Sequence, residues 1–289
     1  GYVMGEASEL RHFYVAAGLN SSVIAVGAGV GRAMSEWIVE GEPTMDLWEV
    51  DIRRFHQFQN SPRYLYDRTV ESVGALYTTH WPQRQYETAR GARRSPLHDR
   101  LAARGACFGV AAGWERPNWY APAGVEPKYE YSFGRQNWFP YSADEHRAVR
   151  EAVGLLDLTS FTKLMFQGRG AESVLQRICA NNVDVAPGTV VYTAMLNHRG
   201  GIEADLTVTR IAEDAYLIIT GSATARRDFQ WIDRNTPEDA HAFLTDVTSA
   251  FVVLGVMGPR SRDFLSRLTS TDMSNDAFPF YTSQEIYIG

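Results

Sequence analysis

The sequence predicts an α+β fold built on an antiparallel sheet. Its second half alternates short apolar strands with amphipathic helical segments, a pattern typical of that class. Residues 189–210 contain two alternating strands on either side of the turn Asn197-His198-Arg199-Gly200-Gly201, which predicts a β-hairpin. With 289 residues, of which 45% are hydrophobic and 21% charged, the chain is long enough for two domains or for one large domain with an attachment.

The N-terminal half is predicted to contain few regular elements. In chain order these are a strand from residue 13, a tight turn at Gly27, Gly29 and Gly31, an amphipathic helix over 32–40 that ends at Gly41, and a helix over 64–76. Residues 84–100 are basic and predict a linker between domains. Residues 113–124 are rich in Pro and Trp, lack helical and strand periodicity, and predict an ordered loop.

The C-terminal half is predicted to be more regular. A helix over 142–153 is expected to begin with a capping box, because Ser142 is followed three residues later by Glu145. The further predicted elements are strands over 162–167, 189–196, 202–210, 216–220 and 251–256, helices over 171–180 and 224–235, and a helix opened by Gly258-Pro259-Arg260 that runs to about residue 268.

Composition argues against several classes of function. The net charge of −6 and the pI near 5.7 disfavour nucleic acid as a partner, because phosphate binding needs a concentrated basic surface. No stretch approaches the ~18 to 20 apolar residues of a membrane helix, so no membrane contact is predicted. Cys107 and Cys179 lack CxxC spacing and predict two reduced thiols. His98, His146 and His198 lack metal-ligand spacing, so no metal site is predicted.

The glycine cluster is the first candidate site. Bare backbone N–H groups at a helix start attract phosphate, and Gly27-x-Gly29-x-Gly31 follows an apolar run and precedes a helix. The dinucleotide spacing GxGxxG is not met, because Arg32 occupies the third glycine position. From the residues alone, a turn that packs a helix closely and a cofactor-binding turn both stay open.

The surrounding segment, AAGLNSSVIAVGAGVGRAMSEWIVEGEPTMDLWEVDIRRF, resembles the last flavin-contacting segment of amine-oxidising flavoproteins of the dimethylglycine and sarcosine dehydrogenase family. The resemblance implies that this segment closes over the ring of FAD. The residues that it assigns to cofactor binding here are Gly18, Asn20, Gly29 and Gly31. Val23 and Ala28 stand where glycines are expected in that family.

The second candidate site is the acidic pair after the hairpin turn. Apolar residues occupy 202, 204, 206 and 208, so Glu203 and Asp205 are predicted to share the opposite face, about 7 Å apart. A solvated polar face and a ligand-facing pair both fit this spacing.

The hairpin sequence YTAMLNHRGGIEADLTVTR resembles the signature of the folate-dependent aminomethyltransferases, which include the glycine-cleavage T-protein. The resemblance implies that Asp205 is the carboxylate at the reacting nitrogen of tetrahydrofolate and projects into a cavity shaped for a pterin. It implies cofactor contacts from Tyr192, Met195 and Glu203. A folate amine loses a proton as it attacks a methylene iminium or formaldehyde carbon, and a nearby carboxylate can accept that proton, an effect typically worth ~10²–10⁴-fold.

The order of the two resemblances is that of two-domain dimethylglycine/sarcosine dehydrogenases. It implies the tail of an FAD-dependent oxidoreductase domain over 1–50, a connecting domain over 51–92, and a folate-binding aminomethyltransferase domain over 93–289. The implied reaction oxidises an N-methyl amine with FAD and passes the one-carbon unit to tetrahydrofolate; the electron acceptor is left open. A flavin-free folate-dependent aminomethyltransferase or demethylase is one alternative.

A second alternative is a non-catalytic homologue, since the regulatory subunit of pyruvate dehydrogenase phosphatase has the same domain order. Val23 and Ala28 favour it. The chain starts at Gly1 and ends within an apparent strand at Gly289, so we expect a piece of a longer protein. The resemblance implies a location in the bacterial cytoplasm or the mitochondrial matrix.

Overall fold

The computed structural model describes residues 2–289 and confirms the α+β class with antiparallel sheets. The strands are β1 (Val3–Glu6), β2 (Tyr14–Ala17), β3 (Ala106–Ala111), β4 (Trp114–Tyr120), β5 (Gly154–Asp157), β6 (Thr162–Gln167), β7 (Val190–Leu196), β8 (Ile202–Ala212), β9 (Ala215–Thr220), β10 (Phe243–Asp246) and β11 (Leu254–Met257). The helices are α1 (Val23–Glu40), α2 (Pro62–Ala75), α3 (His98–Ala102), α4 (Phe139–Glu151), α5 (Ala171–Ile178), α6 (Ala225–Arg234) and α7 (Ser261–Leu265). Among the described residues, no helix is both long and apolar enough to cross a membrane.

The largest sheet has five strands in the order β10-β6-β9-β8-β7, and every neighbouring pair is antiparallel. The predicted hairpin over 189–210 is confirmed as β7 and β8, with Ala194 opposite Asp205. Three two-stranded sheets, β1-β2, β3-β4 and β5-β11, complete the strand pairing. Because β7 is an edge strand, one side of the hairpin is left for other segments to pair with.

The core of this sheet lies on the side covered by α5 and α6. The four buried residues of α5 follow the spacing i, i+3, i+4, i+7 of a single helix face: Ala171, Val174, Leu175 and Ile178. They pack in one cluster with Ile232 of α6 and with alternate residues of β8. Full burial of each Leu or Ile side chain contributes about 1.5–3 kcal/mol. The core therefore fixes which face of β8 turns outward.

The glycine cluster lies inside a helix, and the predicted turn is wrong. α1 already begins at Val23, so Gly27, Gly29 and Gly31 are internal to it. The helix ends where the sequence predicts, at Gly41, whose φ of +82° suits glycine at a helix C-terminus. The apolar residues just before the glycines suggest a strand that leads into a turn. They instead form the first turn of α1, because the packing of this helix favours the helical conformation.

That packing follows a helical period. Val30, Ala33, Met34 and Trp37 recur at i, i+3, i+4 and i+7, and all four are buried. The first three of these residues form a second core cluster with Met4 of β1. Apolar burial along this stripe offsets the helix propensity that the glycines lose.

Residues 113–124 are not a loop throughout, because most of them form strand β4. Trp114 and Trp119 are buried, and a register shift lies between Cys107 and Phe108 of the partner strand β3. Pro117 is tolerated because a two-stranded sheet consists only of edges, where a missing N–H can face away from the partner. The Pro and Trp content of this segment therefore led to the prediction of a loop where the structure has strand β4.

The predicted capping box at Ser142 is also wrong. α4 starts earlier, at Phe139, with a proline in its first turn, so Ser142 lies within the helix. Proline in the first turn sets a helical φ where no N–H bond is needed. This signal marks the start of α4 better than the Ser142 and Glu145 spacing.

Helix α6 joins the N-terminal segment to the large sheet. Arg226, Gln230 and Arg234 are spaced by four residues and share one face. Arg226 pairs with Glu9, and Arg234 pairs with Glu6, which is 3% exposed. Gln230 donates to the main-chain oxygen of residue 7 at 3.3 Å. The β1-β2 hairpin is thus held against α6 by charge and hydrogen bonding.

Candidate functional site

The outward face of the β7–β8 hairpin brings Asp205 and Tyr192 together. Ala204 and Leu206, on either side of Asp205, are buried in the core, so the Asp205 side chain points away from it. The Tyr192 hydroxyl donates a hydrogen bond of 2.9 Å to Oδ2 of Asp205. This bond raises the pKa of Tyr192, because a carboxylate acceptor stabilises the neutral phenol. The two residues form an exposed, polar pair on a rigid sheet.

A second aromatic residue, Tyr281, lies near Tyr192, and the sequence patterns did not indicate it. Its main-chain oxygen accepts a hydrogen bond of 2.8 Å from the N–H of Val190, and Thr282 bridges to Thr189. The segment therefore pairs with the free edge of β7. Tyr281 is 50% exposed and has a φ of +59°, a conformation uncommon outside glycine. The feature that distinguishes Tyr281 is its positive φ, which is visible in the structure and not in the sequence.

Met195 is not brought to this pair. Its side chain is fully buried in the core between α5 and the sheet, opposite Ala204 on β8. Successive residues of a strand point to opposite faces, so Met195 and Asp205 lie on opposite sides of the sheet. The predicted cofactor contact is therefore corrected to a packing role in the core.

Glu203 is drawn away from Asp205 by a β-bulge. Met195 pairs with Ala204 whereas Leu196 pairs with Ile202, so Glu203 is the additional residue on β8. Its carboxylate forms an ion pair of 2.8 Å with Arg227 of α6 and accepts from Asn197 at 2.9 Å. The strict alternation predicted over 202–208 stops at this bulge. The structure pairs Glu203 with α6 and leaves Asp205 with Tyr192.

The resemblance implies a cavity shaped for a pterin around Asp205, but the described residues leave this side chain exposed and do not enclose such a cavity. Asp205 is exposed, and Tyr192 is 53% exposed. Two cavities, of about 350 and 320 Å³, are lined by other residues. The hairpin therefore supplies one wall, formed by the carboxylate of Asp205 and the ring of Tyr192, against which a flat ring could lie.

Behind the sheet, Asp228 is a buried carboxyl group on α6. The hydroxyls of Thr220 and Thr224 donate to its Oδ2 at 2.5 and 2.7 Å, and its Oδ1 has no partner among the described residues. Burial raises the pKa of Asp228 to about 6, although the two hydrogen bonds act to lower it. Asp228 thus links α6 to β9 and belongs to the supporting structure.

The N-terminal candidates for cofactor binding form an open surface. Gly18 and Asn20 have φ values of +71° and +44° and precede α1, while Gly29 and Gly31 lie on its exposed side. A Cβ added at Gly29 or Gly31 would meet nothing within 4 Å. Their N–H groups lie inside a helix, where they bond to carbonyls one turn earlier.

These residues fit one wall of a flavin site and no more. Open glycine surface permits close approach of a flat ring. The strands before α1, however, are the antiparallel pair β1 and β2. Dinucleotide folds bind pyrophosphate at a parallel βαβ unit. FAD would therefore need residues beyond this segment, and we derive no flavin step from it.

Comparison with known families supports both sequence resemblances. Residues 97–289 match the GCVT N-terminal domain, and residues 40–95 match the FAD dependent oxidoreductase central domain. Together the two matches cover most of the chain and confirm the recognised combination of domains.

Curated relatives match almost the entire chain. Identity is 45% over 96% of the chain to 4-methylaminobutanoate oxidase (formaldehyde-forming) of Paenarthrobacter nicotinovorans. It is 33% over 99% of the chain to the mitochondrial pyruvate dehydrogenase phosphatase regulatory subunit of Mus musculus, and 33% over 97% to the mitochondrial sarcosine dehydrogenase of Homo sapiens. The chain covers 33%, 33% and 35% of these proteins, so it spans about one third of their length.

A solved structure agrees on the fold. The glycine cleavage system aminomethyltransferase T from Bartonella henselae superposes with a TM-score of 0.53 at 22% identity. The superposition covers 66% of this chain and 46% of that protein. At this level of identity the likeness supports the fold alone.

Proposed function

The chain belongs to the family of the GCVT N-terminal domain, here joined to an FAD dependent oxidoreductase central domain, and we propose that it is part of an enzyme that demethylates an N-methyl amine and transfers the one-carbon unit to tetrahydrofolate. We assign residues 1–50 to the oxidising domain, 51–92 to the connecting domain and 93–289 to the folate-binding domain. The proposed location is the bacterial cytoplasm or the mitochondrial matrix.

The observation that carries the folate half of the proposal is the hydrogen bond between Tyr192 and Asp205. One carboxylate oxygen is held by the phenol, and the other makes no hydrogen bond among the described residues. In the proposed reaction that free oxygen accepts a proton from the folate nitrogen as the nitrogen attacks the one-carbon unit. Tyr192 and Tyr281 would flank the pterin ring, and further residues of the whole protein would complete the pocket.

The proposed substrate class is an N-methylated amino acid. The names of two relatives, 4-methylaminobutanoate oxidase and sarcosine dehydrogenase, share this chemistry. Dimethylglycine and sarcosine are the substrates that we propose first. FAD, when bound, supplies the acceptor for hydride from the N-methyl group. Gly18, Asn20, Gly29 and Gly31 are proposed to form the side of the flavin site that this chain contributes.

One alternative has specific support. The regulatory subunit of pyruvate dehydrogenase phosphatase matches 99% of the chain at 33% identity, which is the same identity as that of sarcosine dehydrogenase. A non-catalytic homologue of that kind would conserve the fold without oxidising an amine. A test for amine oxidation by the flavin-loaded whole protein distinguishes the two hypotheses, because only the enzyme would oxidise an amine.

The proposal is tested in the whole protein by separating the two half-reactions. Amine oxidation is followed by reduction of a dye, and methylenetetrahydrofolate and free formaldehyde are quantified in the same samples. We expect Asp205→Asn to lower the folate product ~10²–10⁴-fold, the usual size of a general-base effect, while amine oxidation continues and formaldehyde accumulates.

Asp239→Asn is the matched control, since Asp239 is an exposed acid in the segment after α6. It should leave both products unchanged. Equal loss of amine oxidation and folate product in Asp205→Asn would contradict the two-site proposal. Absence of any amine oxidation in the unaltered protein would favour the regulatory alternative.

A further inference from the structure

Helix α2 turns an apolar surface to the outside of the described structure. None of its residues, all of which the structure describes, is buried. At about 100° per residue, positions 65, 66, 69, 70 and 73 fall within one arc of about 140°. Four of these residues are large and apolar, the fifth is Thr69, and two further apolar residues follow the end of the helix. The six exposed apolar side chains are called here the apolar face of α2: Leu65, Tyr66, Val70, Val73, Leu76 and Tyr77.

The opposite side of α2 carries charges that bond to a neighbouring segment. The carboxylate of Glu71 accepts hydrogen bonds from the main-chain N–H groups of Glu87 and Thr88, at 2.8 and 2.9 Å. Arg68 donates to the main-chain oxygen of Thr88 at 2.9 Å, and its guanidinium lies 3.9 Å from the centre of the Tyr86 ring. A surface helix normally buries its apolar stripe and exposes its charges. In α2 this arrangement is reversed.

The reversed helix indicates a contact that the described residues do not make. No charged side chain lies within the arc, and Tyr66 and Tyr77 are 72% and 86% exposed. None of the six residues of the apolar face belongs to the core clusters of the described part of the chain or packs against them. Contiguous apolar patches of this kind mark contact sites for protein. The apolar face of α2 therefore calls for a partner.

Two observations indicate that the partner belongs to the same polypeptide. α2 lies within residues 40–95, which match the FAD dependent oxidoreductase central domain, and this chain spans about one third of the length of the curated relatives. The face has six large side chains, whereas a stable interface between separate proteins takes about 20–30 residues a side. A segment of the same polypeptide needs less contact area, because tethering gives it a high effective concentration.

We propose that the apolar face of α2 is a docking surface for the part of the oxidising domain that lies outside residues 1–289. The inference rests on the proposed function, in which this chain is part of a longer enzyme. The surface that fits is apolar over the width of one helix and uncharged, because a charge buried here would find no opposite charge on the face. The contact holds the connecting domain, to which α2 is assigned, against the oxidising domain.

The test identifies what covers the face in the whole protein. Tyr66→p-benzoylphenylalanine places a photocrosslinking group on the face, and mass spectrometry identifies the crosslinked peptides. We expect a crosslink within one polypeptide, to a peptide of the oxidising domain outside 1–289. Ala148→p-benzoylphenylalanine, at an exposed position in the last turn of α4, is the control and should give no such crosslink. A crosslink between two copies, a crosslink to the folate-binding domain, or no crosslink above the control would each overturn the proposal.

A charge on the face gives a second measurement. Val73→Lys puts an ammonium group at the centre of the arc, in the last turn of α2. Val73 is exposed in this chain, and lysine is a better helix former that suits a helix C-terminus, so α2 itself should lose no stability. In the whole protein we expect the midpoint of thermal unfolding to fall by ~4 °C or more, because docking would bury the charge.

Ala148→Lys is the matched control and should leave the midpoint unchanged. Equal midpoints of Val73→Lys and Ala148→Lys would contradict the docking. Neither measurement depends on turnover, so both remain decisive in a whole protein that oxidises no amine. The two half-reaction assays with Asp205→Asn test the proposed function separately.

Discussion

The hydroxyl of Tyr192 and Oδ2 of Asp205 lie 2.9 Å apart across the β7–β8 pair, with the tyrosine as donor. The bond fixes one carboxylate oxygen on a sheet whose other face is a packed core. The second oxygen makes no hydrogen bond among the described residues, and Asp205 is exposed. In the proposed reaction, the first oxygen orients the carboxylate and the second accepts the proton of the amine.

Replacing Asp205 should be visible in the titration of its partner. Asp205→Asn removes the negative acceptor that stabilises the neutral phenol, so we expect the pKa of Tyr192 to fall toward its ordinary value of 10.0. Tyrosine ¹³Cζ resonances report the titration, with Tyr192→Phe as the assignment. An unchanged Tyr192 titration would show that the hydrogen bond does not form in solution. Asp239→Asn should leave the titration as it is.

The glycines of α1 should weaken the helix without a packing benefit in this chain. Gly29→Ala and Gly31→Ala are each expected to increase the free energy of unfolding by ~0.5–1 kcal/mol, because the added methyl group meets nothing within 4 Å. Gly5→Ala is the opposing control. Its φ is +116°, and its Cβ would approach the Trp37 ring to 2.5 Å, so it should be destabilising. Urea denaturation measures all three, and a loss of stability at Gly29 would contradict the open helix face.

Asp228 should make stability depend on pH in a defined direction. Its folded pKa is about 6, above the ordinary 3.8, so the folded state retains a proton that the unfolded chain releases. The resulting stabilisation is complete below about pH 4 and is lost as the pH rises through about 6, by up to ~3 kcal/mol. Asp228→Asn should remove this component. The free energy of unfolding of both proteins at pH 4.5 and 7.5 gives the difference, and parallel changes in the two would refute the assignment.

The contact between α6 and the N-terminal hairpin should contribute measurably to stability. Burial alone would raise the pKa of Glu6, but its bond with Arg234 and other contacts lower it, so the carboxylate stays charged while almost fully buried. Arg234→Gln leaves this charge without its partner and is expected to cost ~1–3 kcal/mol. Arg63→Gln, in an exposed pair with Asp67 at 3.8 Å, should cost well under ~1 kcal/mol. Equal effects of the two changes would contradict the buried contact.

Sequence patterns predicted the hairpin and the strands β6 and β9 of the large sheet because their apolar character is local, but they did not predict its edge strand β10. The period of 2 that places Ala204 and Leu206 inward is visible in the sequence of β8 over residues 204–208. The bulge at Glu203 cannot be predicted from the sequence of β8 alone, because it depends on how β7 pairs with β8. Met195 shows the same limit: its neighbours identify the strand, but its face follows from packing against α5. The glycine helix shows that a buried stripe overrides local propensity.

The pairing of Tyr281 with Val190 has a consequence for how the chain folds during synthesis. The edge of β7 is covered only when a segment about ninety residues further along has emerged from the ribosome, as the positions of the two residues imply. Until then the nascent sheet presents an unpaired edge, the kind of surface on which chains aggregate. Closure of that edge is a long-range event and is expected to be among the last steps of folding.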